Sequence, residues 1–141
     1  MRMILCKNST LEVIFDPVQV RLCVACGHSF QSDDFRNSLL EALAFARKYQ
    51  VKHWLLDLRA IGELSEADET WVYAQLFPEI MMQLGTGNYM AMLLSQPCYE
   101  RLLEETGQNG LTSMNSFVIL RNFYDPAEAA AWLDTHHLRA S

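Results

Sequence analysis

The segment from Cys23 to His28, CVACGH, has the residue types of a metal site or a redox pair. A zinc-binding CxxC pair lies on a tight turn and needs a second pair of ligands. These cysteines instead continue a period-two pattern, which predicts a strand whose successive side chains point to opposite faces. Three strand residues separate the Cα atoms by roughly 10 Å, beyond the ~7 Å limit for a disulfide. We therefore expect Cys23 and Cys26 to be free thiols on opposite faces, with no metal or cofactor.

A second group of polar side chains follows the apolar run from His53 to Leu58. The candidates for binding a partner or ligand are Asp57, Arg59, Ser65, Glu66, Asp68 and Trp71. Ser65 is typical of a helix N-cap, and Asp68 three residues later resembles a capping box. Partners and ligands of open α/β sheets favour the carboxyl ends of parallel strands, where these residues would lie. We predict binding rather than catalysis, because no Ser/His/Asp set, Gly-rich phosphate loop or metal cluster is visible.

The elements that would position this site begin with a hairpin. Residues 11–26 alternate between apolar and polar, which predicts two antiparallel strands with Asp16-Pro17 between them. In this interpretation the core face of the second strand consists of Val18, Val20, Leu22, Val24 and Cys26. Ser32 is then expected to cap a helix that ends at Arg47-Lys48.

Strand and helix patterns alternate through the rest of the chain. Strands are predicted over 53–58, 89–95 and 116–120, and helices over 66–84, over 97–106 up to Gly107, and from Pro126 after the N-cap Asp125. Pro78 should kink the helix over 66–84. This alternation predicts a mostly parallel sheet with about four helices packed on it. We expect a single α/β domain over residues 1–141.

A family resemblance rests on residues spread over nearly the whole chain. They are Gly27, Phe35-Arg36, the run from Trp54 to Arg59, Ser65, Asp68, Trp71, Phe123, Ala130 and Trp132-Leu133. Together with the order of elements, they resemble the SpoIIAA-like, or STAS, fold of anti-sigma factor antagonists, which Sec14-like lipid-transfer domains distantly echo. Within that fold, the chain looks like a group of small bacterial STAS/Sec14-like proteins of uncharacterised function.

The resemblance implies a regulatory role based on protein binding. In the antagonists, the helix after the central strand begins with a serine that is phosphorylated, and an acidic residue precedes that serine. Alignment of the strands places Ser65 near the acidic residue and Glu66 near the serine.

Three functions follow as hypotheses. The first is a non-enzymatic regulatory or protein-interaction module, and the second is a Sec14-like domain for a small apolar or lipid-like ligand. The third is a cryptic enzyme that uses Asp57, Arg59 and Asp68.

Composition narrows the classes of partner. The 17 acidic and 11 basic residues give a formal net charge of −6, and the basic residues are scattered. Nucleic acids and anionic membrane surfaces both require clustered Lys and Arg, so neither is an expected partner. The sequence contains no apolar run of membrane-spanning length and no pattern of a signal peptide. We therefore expect a cytoplasmic protein without a membrane span.

The helix over 66–84 has little polar surface. Its apolar residues are Trp71, Val72, Tyr73, Ala74, Leu76, Phe77, Ile80, Met81, Met82 and Leu84. A helix that is apolar all round is buried on more than one side. Because one sheet covers only one side, we expect a homodimer that uses part of the remaining face, or an apolar pocket beside it.

Overall fold

The computed structural model describes residues 2–114 and 118–140. They form an α/β fold around one mixed seven-stranded sheet with the strand order β1-β2-β3-β4-β5-β7-β6. The strands are β1 (Met3–Lys7), β2 (Leu11–Asp16), β3 (Arg21–Cys26), β4 (His53–Asp57), β5 (Asn88–Leu93), β6 (Thr112–Met114) and β7 (Val118–Phe123). Strands β3, β4, β5 and β7 are mutually parallel, whereas β1, β2 and β6 pair antiparallel with their neighbours.

The helices pack on both faces of this sheet. They are α1 (Ser32–Tyr49), α2 (Glu66–Trp71), α3 (Phe77–Leu84), α4 (Gln96–Thr106) and α5 (Pro126–Ala140), with a 3₁₀ turn over Gln108–Leu111. A π-helical turn over Val72–Leu76 joins α2 to α3, and we call the continuous segment 66–84 the long helix. The expected ends of two helices are confirmed, because Gly107 caps α4 and the Asp125 carboxylate accepts the Ala127 N–H at 2.9 Å. Of the strand predicted over 116–120, residues 116 and 117 lie outside the described residues.

The hairpin is present, but its turn is longer than expected. Asp16 accepts hydrogen bonds from the backbone N–H groups of Val18 at 3.0 Å and Gln19 at 3.2 Å, which closes a turn before β3 begins. Val18 is therefore 75% exposed, and Val20 adopts a left-handed φ of 52°. The prediction that Val18 belongs to the core face was wrong. Val20 precedes β3 but packs against the core, and Leu22, Val24 and Cys26 are buried as predicted.

Two short edge strands, β1 and β6, were not predicted from the sequence patterns. In β1 the register shifts between Ile4 and Cys6, so the period-two alternation that would indicate a strand is broken. Thr112–Met114 is only three residues long. Both strands owe their conformation to pairing with a longer neighbour, which a local pattern does not report.

The start of α1 differs from the prediction. The N-cap is Gln31, which has extended backbone and no side-chain capping bond, and Ser32 is the first helical residue. The Ser32 hydroxyl instead donates to the Asp68 carboxylate at 2.8 Å. A serine N-cap would accept a hydrogen bond from a backbone N–H, whereas here the hydroxyl donates to an ionised acceptor, and such charge-assisted hydrogen bonds are the stronger kind.

The long helix is distorted next to Pro78, as its sequence predicts. Proline has no N–H to donate to the carbonyl four residues earlier, and the backbone widens to a π-helical turn over Val72–Leu76. The surplus apolar surface expected of this helix is largely packed within the chain. Val72, Leu76, Phe77, Ile80 and Leu84 are all buried, and Met82 is its exposed large apolar residue. The homodimer predicted through this helix stays a prediction, with Met82 as the exposed large apolar residue available to it.

The core has two parts, one on each face of the sheet. The larger part lies between one face of the sheet and the helices that cover it, α1 and the long helix. Strand β4 contributes Trp54 and Leu56 to this part. On the opposite face, α5 packs against β5 and β7 through Ala129 and Leu133. The buried Arg21 guanidinium on that face forms an ion pair with Asp134 of α5 at 2.7 Å. In residues 2–114 and 118–140, no helix combines the length and apolar character needed to cross a membrane.

Candidate functional site

A buried carboxylate, Asp68, organises the start of the long helix. Its side chain is 1% exposed and accepts from the Ser32 hydroxyl at 2.8 Å and the Ser65 hydroxyl at 3.2 Å. Arg36 donates to it from Nε at 3.1 Å. The Asp68 backbone N–H in turn donates to Ser65 Oγ at 3.2 Å, which confirms Ser65 as the N-cap. The network joins the first turns of α1 and α2 and satisfies the charge of a carboxylate removed from water.

Trp71 completes this network on its outer side. The Arg36 guanidinium lies 5.7 Å from the centroid of the Trp71 ring, within the range of a cation–π contact. The Trp71 ring also packs edge-on against Phe35 at 6.3 Å. Three of the six predicted site residues, Ser65, Asp68 and Trp71, therefore form one cluster with Ser32 and Arg36. We call these five residues the Asp68 cluster.

Asp57 and Arg59 form a separate pair at the end of β4. Arg59 donates to the Asp57 carboxylate from Nε at 3.0 Å, from Nη2 at 2.8 Å and from its backbone N–H at 3.0 Å. Partial burial acts to raise the pKa of Asp57, but the hydrogen bonds and charge of Arg59 outweigh it and hold the pKa below its usual range. The carboxylate is thus ionised and paired with a side chain two residues away. Glu66, the remaining predicted residue, is exposed in the first turn of α2.

The cysteine geometry agrees with the prediction. Cys23 and Cys26 both lie in β3, and all four cysteines are free thiols. Burial, followed by the charges of Asp57 and Asp68, raises the pKa of Cys26 to about 12. Burial also raises the pKa of Cys23. Thiolates are the nucleophilic form of cysteine, so these two side chains are poor candidates for reactive groups at neutral pH.

A cleft of about 310 Å³ opens between the long helix and α4, on the other side of α2 from the Asp68 cluster. The floor of the cleft is apolar and lies over the carboxyl ends of β4 and β5. It consists of Leu58, Leu64, Met92, Leu94 and Leu102. The rim is charged and exposed, and it consists of Glu63, Glu69, Arg101 and Glu105. None of the six residues predicted from the sequence lines this cleft.

The loop after β4 holds one wall of the cleft in place. The Gly62 carbonyl accepts the N–H of Ser95 at 3.0 Å, which brings the loop against the start of α4. Gly62 has a φ of 92°, and a Cβ at this position would lie 3.1 Å from the Cys98 sulfur. Both the conformation and the close approach favour glycine. Beyond this turn, Glu63 forms an ion pair with Arg101, so the loop and α4 are joined at the rim as well.

The π-helical turn places an aromatic side chain at the same cleft. Tyr73 belongs to this turn and lines the wall formed by the long helix. Burial raises the pKa of the Tyr73 hydroxyl, and a hydrogen bond with Ser113 of β6 partly offsets that rise. The hydroxyl is therefore neutral at physiological pH and able to donate or accept a hydrogen bond.

The rim carries an excess of negative charge. Three carboxylates and one guanidinium give a formal charge of −2, and Arg101 is already paired with Glu63. Partial burial of the carboxyl group, then the charges of Glu63 and Glu66, raises the pKa of Glu69 above its usual value. An acid whose pKa is raised on folding is more stable in its protonated form, so ionised Glu69 destabilises the native state at neutral pH.

Replacement of Glu69 by glutamine should therefore increase thermal stability at neutral pH. The variant removes the crowded charge while it keeps the shape of the side chain. The gain should disappear as the pH falls through the raised pKa of Glu69, because the wild-type side chain is then also neutral. Melting curves of both proteins at neutral and acid pH test this, and an equal loss of stability at both pH values would contradict it. The exposed Glu128→Gln is the matched control.

None of the charged residues that line the cleft was predicted from the sequence as a site residue. Glu69 and Tyr73 are four positions apart on one helix, so their shared face was readable from the sequence. Arg101, Glu105 and Asn122 come from α4 and β7, and only the packing of α4 beside the long helix brings them to the same place. Arg36 and Ser32 likewise join Asp68 across more than thirty residues of chain.

In the described ranges, no three His, Cys, Asp or Glu side chains are grouped as a metal ion would require.

Comparison with known proteins finds no relative of this chain. No protein-family model matches the chain, and neither the curated proteins nor the solved structures include a significant match to it.

Proposed function

We propose that this chain is a non-enzymatic binding module of STAS type, and that it recognises a basic segment of a partner protein in the cleft beside α4. The observation that carries the proposal is the combination of an apolar floor with an acidic rim at the carboxyl ends of β4 and β5. Sites for ligands and partners concentrate at this edge of open α/β sheets. The antiparallel hairpin that leads into the four mutually parallel strands, together with the resemblance at Trp54–Arg59, supports the STAS relationship.

The chemistry of the cleft matches a segment that presents both apolar and cationic side chains. An apolar side chain would lie against Leu64 and Leu102, and a Lys or Arg would lie beside Glu69 and Glu105. A partner cation would also relieve the crowding that raises the pKa of Glu69. The binding energy would then come from the buried apolar contact, and the acidic rim would add specificity and a faster association rate.

A small apolar or lipid-like ligand is the second candidate, and the apolar floor favours it. The volume of about 310 Å³ lies at the lower limit of small-molecule pockets. A charged rim does not suit an acyl chain, because a carboxylate beside a hydrocarbon is left without solvation. A partner's basic segment satisfies both the floor and the rim, so it ranks first.

The third candidate, an enzyme that uses Asp57, Arg59 and Asp68, has less support. Asp57 and Arg59 bind each other, and Asp68 is bound by Ser32, Ser65 and Arg36. A general acid or base must be able to reach a substrate proton, and the Asp68 carboxylate is 1% exposed. These contacts support a structural role for Asp68.

A random peptide library displayed on phage provides the test of the binding proposal. Peptides selected on the wild-type chain should be enriched in Lys or Arg next to apolar residues, and their affinity should fall with added salt. The double variant Glu69→Lys, Glu105→Lys should weaken binding at least about tenfold, because the rim then repels the peptide. Binding of each selected peptide is measured by fluorescence anisotropy.

The control is the double variant Glu41→Lys, Glu128→Lys, which makes the same change in net charge on α1 and α5. Its affinity should stay within about twofold of wild type if the cleft is the site. Equal weakening by both double variants would indicate general charge attraction and contradict the proposal. Enrichment of neutral apolar peptides would favour the second candidate instead.

A further inference from the structure

The sheet face that carries α5 has an uncovered half over β1 to β3. One row of side chains crosses the strands there, in the register Ile4, Ile14 and Cys23, and it continues to Leu55 of β4 beside α5. Alternation in β2 confirms the face, because Leu11, Val13 and Phe15 are buried on the other side while Glu12, Ile14 and Asp16 are not. This row is apolar from the edge strand to the centre of the sheet.

Helix α5 covers only the other half of that face. It packs on β4, β5 and β7, and it reaches β3 at one end through the ion pair between Asp134 and Arg21. In the part of the chain that the structure describes, Ile4 is 62% exposed and Ala25 is also exposed. An apolar row on an open sheet face is unusual for a monomer and marks a surface that another layer covers.

Two ion pairs frame the row, one at each end of the strands. Lys7 of β1 lies 3.6 Å from Glu12 of β2, and Arg2, just before β1, lies 3.9 Å from Asp16. In both pairs the cation is on the β1 side and the anion is on β2. The surface therefore has a positive column beside a negative column, with Ile4 and Ile14 between the charges.

We propose that a second copy of this chain covers the β1–β2 part of the face, and that the two sheets pack about a two-fold axis that runs along the strands between β1 and β2. That operation places β1 over the partner's β2. Ile4 then faces the partner's Ile14, Lys7 faces the partner's Glu12, and Arg2 faces the partner's Asp16. Each of these four charges meets its opposite, and Ile4 and Ile14 meet their copies, so this part of the surface is complementary to its own copy.

The charge pattern selects this axis over the other aligned packing. A two-fold axis across the strands would place β1 over the partner's β1, with Lys7 against the partner's Arg2 and Glu12 against the partner's Asp16. Those contacts are repulsive. Sheets that pack face to face keep their strands within about 30° of each other, and long Lys and Arg side chains can bridge that offset.

Two charge-reversal variants test the proposal, because each should lose dimerisation and a mixture of the two should restore it. In Lys7→Glu both columns are negative at this end of the strands, and in Glu12→Lys both are positive, so each variant repels its own copy. A mixture of the two restores opposite charges across the interface. Sedimentation velocity should show a wild-type dimer, each variant weakened at least about tenfold, and a one-to-one heterodimer in the mixture.

The two variants serve as matched controls for folding, because each loses the same Lys7–Glu12 ion pair within the chain. Their circular dichroism and melting curves should be alike. A wild-type chain that stays monomeric up to high micromolar concentration would overturn the proposal. A wild-type dimer that both variants retain, or a mixture that restores nothing, would also overturn it.

Discussion

Substitution of Asp68 by alanine is expected to lower the free energy of unfolding by about 3 kcal/mol, close to the cost of removing one partner from a buried ion pair. The variant leaves Ser32, Ser65 and Arg36 without their shared acceptor, and it removes the carboxylate that links the starts of α1 and α2. Arg36 keeps some access to water, since its side chain is 33% exposed, so the loss should lie near the low end of that range.

Urea unfolding of Asp68→Ala and Glu66→Gln provides the comparison. Both positions are in the first turn of α2, but Glu66 is exposed, so its variant should stay within about 0.5 kcal/mol of wild type. The melting temperature of Asp68→Ala should fall by roughly 10 °C for a domain of this size. Similar stabilities for the two variants would show that the Asp68 cluster contributes little to the fold.

Ser65→Asp is expected to be more destabilising than Ser65→Ala, although aspartate is normally a good N-cap. From the sequence alone, we would expect Ser65→Ala to cost about 1 kcal/mol and Ser65→Asp very little. The structure changes that expectation, because the Ser65 hydroxyl also donates to the Asp68 carboxylate at 3.2 Å. An aspartate cannot donate, and it places a second negative charge beside a buried one. We expect about 2 kcal/mol for Ser65→Asp.

The pH dependence separates this repulsion from simple loss of the cap. Acid pH allows the introduced carboxyl group to bind a proton, so the penalty of Ser65→Asp should shrink as the pH falls. The penalty of Ser65→Ala relative to wild type should change much less. Urea titrations at neutral and acid pH test both statements. A Ser65→Asp variant as stable as wild type at neutral pH would contradict them.

The same repulsion would act on a phosphate group attached to Ser65. A phosphate on Ser65 would lie against the Asp68 carboxylate and would also break the hydrogen bond that the hydroxyl donates to it. This argues against a phosphorylation switch at Ser65. The resemblance to the antagonists places the equivalent of their serine near Glu66, which is a carboxylate in this chain. The binding module that we propose therefore acts without that switch.

Local signals in the sequence predicted most of the fold. The apolar stripe of α1, the buried strands β4 and β5, the N-caps Ser65 and Asp125 and the distortion at Pro78 all follow from patterns within a few residues. One of the exceptions has a long-range cause. Ser32 was expected to cap a helix and instead binds Asp68, which lies 36 positions away. Long-range hydrogen bonds of this kind have no local signature.

The candidate site was predictable only in part. Ser65, Asp68 and Trp71 form one cluster, as their spacing on a helix start suggested, but Asp57 and Arg59 pair with each other. The acidic cleft depends on where α4 packs, and no pattern within α4 reports its neighbour. Arg101 shows this most clearly, because its partner Glu63 is 38 positions away in the sequence.

The most direct test of the proposed function maps binding onto the structure. A basic peptide from the library selection is titrated into isotopically labelled protein, and the backbone amide shifts are followed by NMR. The account predicts the largest changes at Leu64, Glu69, Tyr73 and Leu102, with Ser32, Arg36 and Arg59 unaffected. Changes centred on the Asp68 cluster or on Asp57–Arg59, with the cleft unaffected, would contradict it.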